Sequence, residues 1–193
     1  MFNLRIVKEY LQHRLKAKTR HGTHSPFVYR LVDEVVYDFL EKKVYSEIET
    51  SQNARYQRPR GKKLNRLLYR IIVDREPKNI LLLGKVSAVT EAYIKAGSPA
   101  YIAHDIDQLS YFDTVIIDTK NDHDARNFIT RAIENADEET LIIFKNIQCS
   151  NAMNAIWDEV KANPKVTITI DLFMAGLIYF RKGQVREDFW IRF

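Results

Sequence analysis

The sequence predicts an α/β fold built on a doubly wound, mostly parallel sheet. From residue 79 onward, short apolar runs alternate with amphipathic helical segments, the pattern of a parallel sheet covered on both faces. The chain has 193 residues, of which 46% are hydrophobic, so it can bury a continuous core. We therefore expect one structural domain overall, with a helical segment at 1–75 packed on an α/β domain at 76–193.

The N-terminal segment is predicted to be helical. Apolar residues recur at helical spacing over 1–18, and Ser25 followed by Pro26 indicates the N-cap and first turn of a second helix whose apolar stripe runs to Leu40. The pattern loosens between 42 and 60, where we expect a loop. A third amphipathic helix is predicted over 62–74.

Seven strands and three further helices are predicted after residue 78. The last three strands follow one another through short turns, so we expect the sheet to finish antiparallel. Gly97 is expected just past the end of the first of these helices, as its C′ residue. The predicted strands are 80–83, 101–103, 114–117, 141–144, 166–170, 177–180 and 187–191, and the predicted helices are 87–96, 124–135 and 150–162.

The positive charge of the chain is concentrated in two stretches. Thirty basic and 25 acidic residues give a formal net charge of +5, and most of the excess lies at 5–20 and 55–70. Such stretches are typical either of solvated helix faces or of a footprint for nucleic-acid phosphates, which would bind with a steep salt dependence. The modest net charge favours the solvated faces over a nucleic-acid partner.

Cysteine content and hydropathy indicate the compartment. The single cysteine, Cys149, excludes an intramolecular disulfide and suits a reducing environment. No apolar run approaches the ~18 residues of a membrane span, and the N-terminus lacks the apolar block of a signal peptide. We expect a cytoplasmic protein with no membrane partner.

A ligand is expected at one edge of the predicted sheet. In open α/β sheets, ligands bind beyond the carboxyl ends of the strands, near the point where the strand order reverses. The segments that follow the strands are 84–87, 104–107, 118–124 and 145–150. Residues that take part in small-molecule chemistry are therefore sought there.

Two stretches of the sequence carry a family resemblance. They are RHGTHSPFVYRLVDEVVYD at 20–38 and the block at 141–193, which includes KANPKVTITIDLFMAGLIYFRKGQ. The chain resembles class I S-adenosylmethionine-dependent methyltransferases, specifically a Bacteroidetes group related to the small-molecule O-methyltransferases. The resemblance implies a Rossmann-like, methyltransferase-type sheet, S-adenosylmethionine as cofactor and a small-molecule acceptor.

The cofactor region departs from the family pattern. The segment LLLGKVSAVT at 81–90 keeps Gly84, but a leucine, Leu82 or Leu83, stands where the family has an acid. In AHDIDQLSYFDTVIID, at 103–118, Asp105 matches the family's adenine-side acid, so the ribose-binding acid and about one strand-helix unit are missing. The cofactor-binding residues implied by the resemblance are Gly84, Lys85, Ser87, Asp105 and Ile106.

The metal site of related enzymes is altered as well. Metal-dependent O-methyltransferases bind a divalent ion through an acid after the fourth strand and an acid-Asn pair after the fifth. Asp118 and Asn146 match this pattern, but Lys145 stands in place of the second acid. An ammonium would repel a divalent cation, so we expect no metal. As an alternative, Lys145 substitutes for the ion by pairing with Asp118.

Catalytic candidates are His21, His24, Asp118 and Lys145. The two histidines could supply a general base or cover the cofactor pocket, because histidine titrates near neutrality. The alternative, which the sequence favours, is a structural loop in which the histidines bond to the backbone before the Ser25 cap. Cys149 is either a reactive thiol at a helix N-terminus or a buried, inert residue.

Two functions remain open at this stage. The first is a methyltransferase that uses S-adenosylmethionine. The second is a pseudo-enzyme that keeps the scaffold but has lost the cofactor, and that acts through a partner or its basic surface. The aromatic residues near the C-terminus are expected in the core, or else on an exposed face that pairs two subunits into a homodimer.

Overall fold

A seven-stranded mixed sheet flanked by helices forms the protein. The computed structural model describes residues 4–19, 25–50, 58–108 and 111–193. The helices are α1 Leu4–Lys16, α2 Pro26–Arg30, α3 Lys43–Glu49, α4 Pro59–Arg75, α5 Ala88–Gly97, α6 Asp122–Glu134 and α7 Asn151–Ala162. The strands are β1 Asn79–Gly84, β2 Tyr101–Ala103, β3 Thr114–Asp118, β4 Leu141–Lys145, β5 Ile168–Asp171, β6 Ala175–Tyr179 and β7 Glu187–Trp190.

The strand order is β2-β1-β3-β4-β6-β5-β7, which confirms the predicted α/β class and its mostly parallel sheet. Strands β1 to β4 pair in parallel, whereas β6 is antiparallel to both β4 and β5. The predicted antiparallel finish is therefore confirmed at β6. It is wrong for β7, which pairs with β5 in parallel. Because β4 and β5 occupy both edges of β6, β7 cannot pair with β6, and it adds instead to the free edge of β5.

The sheet carries a hydrophobic core on each face. Ile80 and Leu82 belong to one core and Leu81 and Leu83 to the other, because successive side chains of a strand point to opposite faces. The first core is shared with α2, the residues Leu31–Val36 that follow it, and α4, and the second with α6 and α7. Over the described ranges, no helix combines the length and apolarity that crossing a bilayer requires.

The second helix begins as predicted but ends early. Ser25 caps it by accepting a hydrogen bond from the Val28 amide at 3.4 Å. After Arg30 it continues as a π-helix over Leu31–Val36, so the predicted stripe to Leu40 is wrong at its end, and Leu40 is 74% exposed. The buried Arg70 of α4 donates to the carbonyls of Val35 and Val36, and these bonds complete the last turn.

Helix α3 lies where the sequence predicts a loop. Its own apolar pattern is weak, and contacts with α4 and α5 hold it. Tyr45 is buried against Tyr69 and Tyr93, and Glu49 pairs with Arg66 of α4 at 2.7 Å. Tertiary contacts therefore decide this helix, and the loop prediction is wrong.

Gly97 differs from its predicted role as a C′ residue. It is the last residue of α5 and does not adopt a positive φ. A Cβ at this position would lie 2.9 Å from Cγ2 of Ile72 in α4. Glycine is needed here because α5 packs closely on α4.

Candidate functional site

A cavity of about 510 Å³ opens at the carboxyl ends of β1, β3 and β4. Ser87, Asp118 and Lys145 reach it from the strand ends, as the sheet pattern predicts. Helix α1 contributes Ile6, and the start of α4 contributes Arg58 and Arg60. A smaller cavity of about 290 Å³, lined by Lys85 and the segment 118–121, meets the first at Asp118.

The carboxylate of Asp118 is held by two neighbouring side chains. The ammonium of Lys145 donates to Oδ2, and the amide of Asn146 donates to Oδ1 at 2.9 Å. Lys145 is only 7% exposed, so its charge is neutralised inside the protein by Asp118. The structure thus brings Lys145 and Asp118 together. This contact is the one required by the alternative in which Lys145 takes the place of a metal ion.

Asn146 owes its position to an unusual backbone conformation. Its φ is +65°, in the left-handed region that asparagine tolerates better than most residues. Its amide N–H donates to the Met174 carbonyl at 2.8 Å, and its side chain also donates to the Thr119 carbonyl at 3.1 Å. These bonds fix the amide between the ends of β3 and β6.

Gly84 allows β1 to approach β3 closely at the mouth of the site. Its φ is +93°, and a Cβ there would lie 2.4 Å from the carbonyl oxygen of Asp118. The next amide, of Lys85, donates to that same oxygen at 2.8 Å. Leu82 and Leu83 are buried in the two cores, so the position of the family's acid is apolar in this chain.

Ser87 begins α5 and links it to α4. Its hydroxyl accepts from the Thr90 amide at 3.2 Å, and the Thr90 hydroxyl donates to Oδ1 of the buried Asn65 at 3.0 Å. Ser87 and Thr90 both line the larger cavity. The predicted cap at Ser87 is therefore confirmed, and the N-terminus of α5 lies beside the site.

The remaining predicted residues lie elsewhere. Asp105 and Ile106 follow β2 at the edge of the sheet and line neither cavity. Asp105 is exposed and accepts from the Asp107 amide at 3.0 Å, whereas Ile106 is buried. His21 and His24 lie outside the described residues, and their roles stay predictions.

The groups near the site do not favour a reactive thiol at Cys149 or a bound metal ion. Burial raises the pKa of the Cys149 thiol, which disfavours the thiolate that a nucleophile needs. In the part of the chain that the structure describes, no three His, Cys, Asp or Glu side chains form a metal-binding group. The ammonium of Lys145 already binds Asp118 and would repel a second cation, so the residues present do not suit a divalent ion.

A buried pair that the sequence did not indicate anchors α1 next to the cavity. Nε2 of His13 lies 3.1 Å from Oδ1 of Asp171. Nε1 of Trp157 and the amide of Phe173 donate to the same carboxylate, at 3.1 and 2.7 Å. These residues come from three separate parts of the chain, and only the fold shows that they meet.

The basic stretch at 55–70 separates into groups with different roles. Arg66 and Lys62 pair with Glu49, and Arg70 is buried against the π-helix. Arg58 and Arg60 line the larger cavity. The charge run was visible in the sequence, but its contribution to a site was not.

Comparison with known proteins shows which solved structures have a similar fold. No family model and no curated protein sequence matches the chain. Among solved structures, the S-adenosylhomocysteine-bound methyltransferase PaMTH1 of Podospora anserina superposes with a TM-score of 0.55, covering 83% of this chain and 98% of that one at 11% identity. The chain has the fold of class I O-methyltransferases.

Two further structures agree. The O-methyltransferase of Bacillus cereus in complex with S-adenosylhomocysteine gives a TM-score of 0.50 at 11% identity, covering 76% of this chain and 94% of that one. Cofactor-bound Rv0187 from MTB gives 0.50 at 12% identity, covering 95% of this chain and 100% of that one. At these identities the likeness establishes the methyltransferase-type fold. The narrower Bacteroidetes grouping stays a prediction.

Proposed function

We propose that this protein is an S-adenosylmethionine-dependent methyltransferase that acts on a small-molecule acceptor. The observation that carries the proposal is the pair of cavities that meet at Asp118, beside the Gly84 turn and the N-terminus of α5. This is the edge of the sheet at which α/β folds bind their ligands. The similar structures of P. anserina and B. cereus hold S-adenosylhomocysteine.

The cofactor is proposed to lie between Gly84, the start of α5 and the loop after β2. The N-terminal amides of α5, at Ser87, suit a carboxylate such as that of the methionine moiety. Asp105 is reassigned here from the adenine to the ribose, because β2 pairs directly with β1. In dinucleotide-binding folds, the acid about 20 residues past the glycine turn binds the ribose hydroxyls, and Asp105 has this spacing from Gly84. Ile106 supplies the apolar part of the same loop.

Asp118 and Lys145 are proposed to act on the acceptor. S-adenosylmethionine supplies, when bound, an electrophilic methyl group whose bonding electron pair returns to sulfur as the acceptor oxygen is methylated. Asp118 accepts a hydrogen bond from the acceptor hydroxyl and then its proton, which passes to water. The ammonium of Lys145 stabilises the negative charge that develops on that oxygen, as a bound cation would. His21 and His24 are retained as proposed contributors near the acceptor.

Thermal unfolding with and without S-adenosylhomocysteine tests the cofactor. Ligand at a hundred times its Kd stabilises a protein by about 2.7 kcal/mol, a rise in Tm of roughly 5–10 °C for a domain of this size. Asp105→Asn is expected to weaken the shift, and Asp107→Asn, two residues away on the same loop, is the matched control.

No shift at millimolar ligand would overturn the proposed function. It would favour the pseudo-enzyme, in which the buried Leu82 and Leu83 mark a cofactor site that has been lost. A cytoplasmic location and a homodimer are retained as proposals alongside the methyltransferase. Size-exclusion chromatography with light scattering tests the homodimer directly.

A further inference from the structure

The larger cavity carries an excess of positive charge. Four of its lining side chains are cationic, and Asp118 is its one carboxylate among the described residues. Lys145 is paired with Asp118. In the described ranges, the other three cations, Arg58, Arg60 and Lys120, make no ion pair, and no residue outside those ranges is Asp or Glu. Three uncompensated charges therefore face one cavity.

Two neighbouring basic side chains of α4, by contrast, are neutralised by an acid. Lys62 and Arg66, only a few residues farther along α4, both bind Glu49, at 2.6 and 2.7 Å. Arg60 is held instead by an aromatic ring, with its guanidinium 5.7 Å from the centroid of Tyr10. Tyr10 in turn packs edge-on against Phe173, 5.1 Å away. Arg60 is thus positioned while its charge stays available.

Part of the lining of the cavity is apolar. Ile6, Leu64, Phe173 and Met174 supply it, and Leu64 and Phe173 are largely buried. A volume of about 510 Å³ lies within the range of small-molecule sites. The site therefore suits a molecule with a compact apolar body and an anionic group at one end.

We propose that the acceptor is anionic, with a carboxylate or phosphate monoester bound by Arg58, Arg60 and Lys120 and an apolar body packed on the apolar part of the lining. The guanidinium groups suit these anions because they can donate two parallel hydrogen bonds. The assignment of this ligand as a methyl acceptor rests on the proposed function. The anion subsite itself rests on the charges and shape of the cavity.

Calorimetric titration in low salt tests the subsite with defined probes. The probes are 3,4-dihydroxybenzoate, its neutral amide 3,4-dihydroxybenzamide, and phenyl phosphate, each with and without S-adenosylhomocysteine, and oligothymidylate is titrated separately as a nucleic-acid probe. The variant R58Q/R60Q/K120Q removes the three cavity charges. The control K43Q/K95Q/K182Q removes the same net charge at exposed lysines that do not line the cavity.

We expect the wild type to bind at least one anionic probe about tenfold or more tightly than the amide. That preference is lost in the cavity variant and kept in the control, whereas the affinity for S-adenosylhomocysteine is the same in all three proteins. The stronger of the two anions identifies carboxylate or phosphate as the natural group.

Four results would overturn the proposal. They are equal binding of anions and amide by the wild type, an equal loss of preference in the control, a loss of S-adenosylhomocysteine binding in the cavity variant, and tighter binding of oligothymidylate than of either small anion. The third result would assign the cations to the cofactor carboxylate, and the fourth to nucleic acid. If the wild type binds the anions but not S-adenosylhomocysteine, the subsite stands and the proposed function fails.

Discussion

The ammonium of Lys145 and the carboxylate of Asp118 form a largely buried pair at the ends of adjacent strands. Their meeting follows from the register of the sheet, in which Ile117 of β3 lies opposite Phe144 of β4. The next residue of each strand is then a member of the pair. Two positions far apart in sequence are in this way held side by side at the cavity.

Removing one member of this pair is expected to destabilise the protein more than removing both. Asp118→Asn or Lys145→Met leaves an uncompensated charge in a site where the side chains are 17% and 9% exposed, at a cost of about 3 kcal/mol each. The double variant lacks that charge, so its loss should be smaller than that of either single variant. Urea unfolding of the four proteins measures the difference, and additive losses would show that the two groups do not interact.

Lys145→Asp is expected to create a divalent-metal site. The variant would place a second carboxylate beside Asp118 and Asn146, the type of oxygen ligand that Mg²⁺ and Mn²⁺ prefer. Calorimetric titration with Mn²⁺ should detect binding in this variant but none in Lys145→Met. If Lys145→Asp gains no metal affinity, Lys145 does not stand in for an ion.

Alanine substitutions at two glycines with positive φ distinguish the cost of backbone strain from the cost of a steric clash. Gly84 and Gly183 both have positive φ, but a Cβ at Gly84 would meet the Asp118 carbonyl, whereas nothing lies within 4 Å of one at Gly183. We expect Gly183→Ala to cost about 1 kcal/mol and Gly84→Ala about 2–4 kcal/mol, with a loss of S-adenosylhomocysteine binding. Chemical unfolding compares the two, and equal costs would contradict the close approach of β1 to β3.

Stability in acid is expected to depend on Glu49. Burial alone would raise the pKa of this carboxyl, but hydrogen bonds from Arg66, Lys62 and Tyr93 outweigh it and lower the pKa from 4.5 to about 2. A lowered carboxyl pKa contributes stability above the unfolded value and loses it as the pH falls toward the folded one. Glu49 therefore contributes up to about 3 kcal/mol that disappears between pH 4.5 and 2.

The variant Glu49→Gln tests this pH dependence. It should be less stable at neutral pH and lose less stability between pH 5 and 2 than the wild type does. Glu47→Gln, on the same helix but with a side chain that is 57% exposed, serves as the control and should follow the wild type. Parallel acid profiles for all three proteins would rule out the contribution of Glu49.

Helix α1 is expected to loosen when His13 is shortened. His13→Ala removes the contact with Asp171 and the edge-on packing against Phe173, 5.6 Å between ring centroids. We expect a loss of about 1–3 kcal/mol and faster amide exchange within α1. Leu15 lies on the same helix and is 86% exposed, so Leu15→Ala should change neither the stability nor the amide exchange. Unchanged exchange in His13→Ala would show that other contacts hold α1.

The local sequence pattern was sufficient to predict the strands of the sheet but not all of the helices that flank it. The central strands could be predicted because they are buried on both faces and read as apolar runs, and Ser25, Ser87 and Ser150 each begin a helix by capping it. Helix α3 could not, because its stability comes from Tyr45 and Glu49 contacting residues on other helices.

The site was partly predictable for the same reason. Gly84, Asp118 and Lys145 end or follow strands, so topology alone places them together. Arg58, Arg60 and Ile6 reach the cavity from helices whose docking depends on distant side chains, among them the buried pair of His13 and Asp171. No spacing rule within the sequence connects residue 13 to residue 171.

The position of β6 between β4 and β5 has a consequence for synthesis of the chain. Strand β4 is apolar and ends at residue 145, yet one of its edges finds its partner only when residues 175–179 have been made. Until then its unpaired N–H and C=O groups form an open template for other chains. Termination before residue 175 would therefore yield an aggregating product rather than a smaller domain. The central part of the sheet is completed only when the C-terminal segment supplies β6.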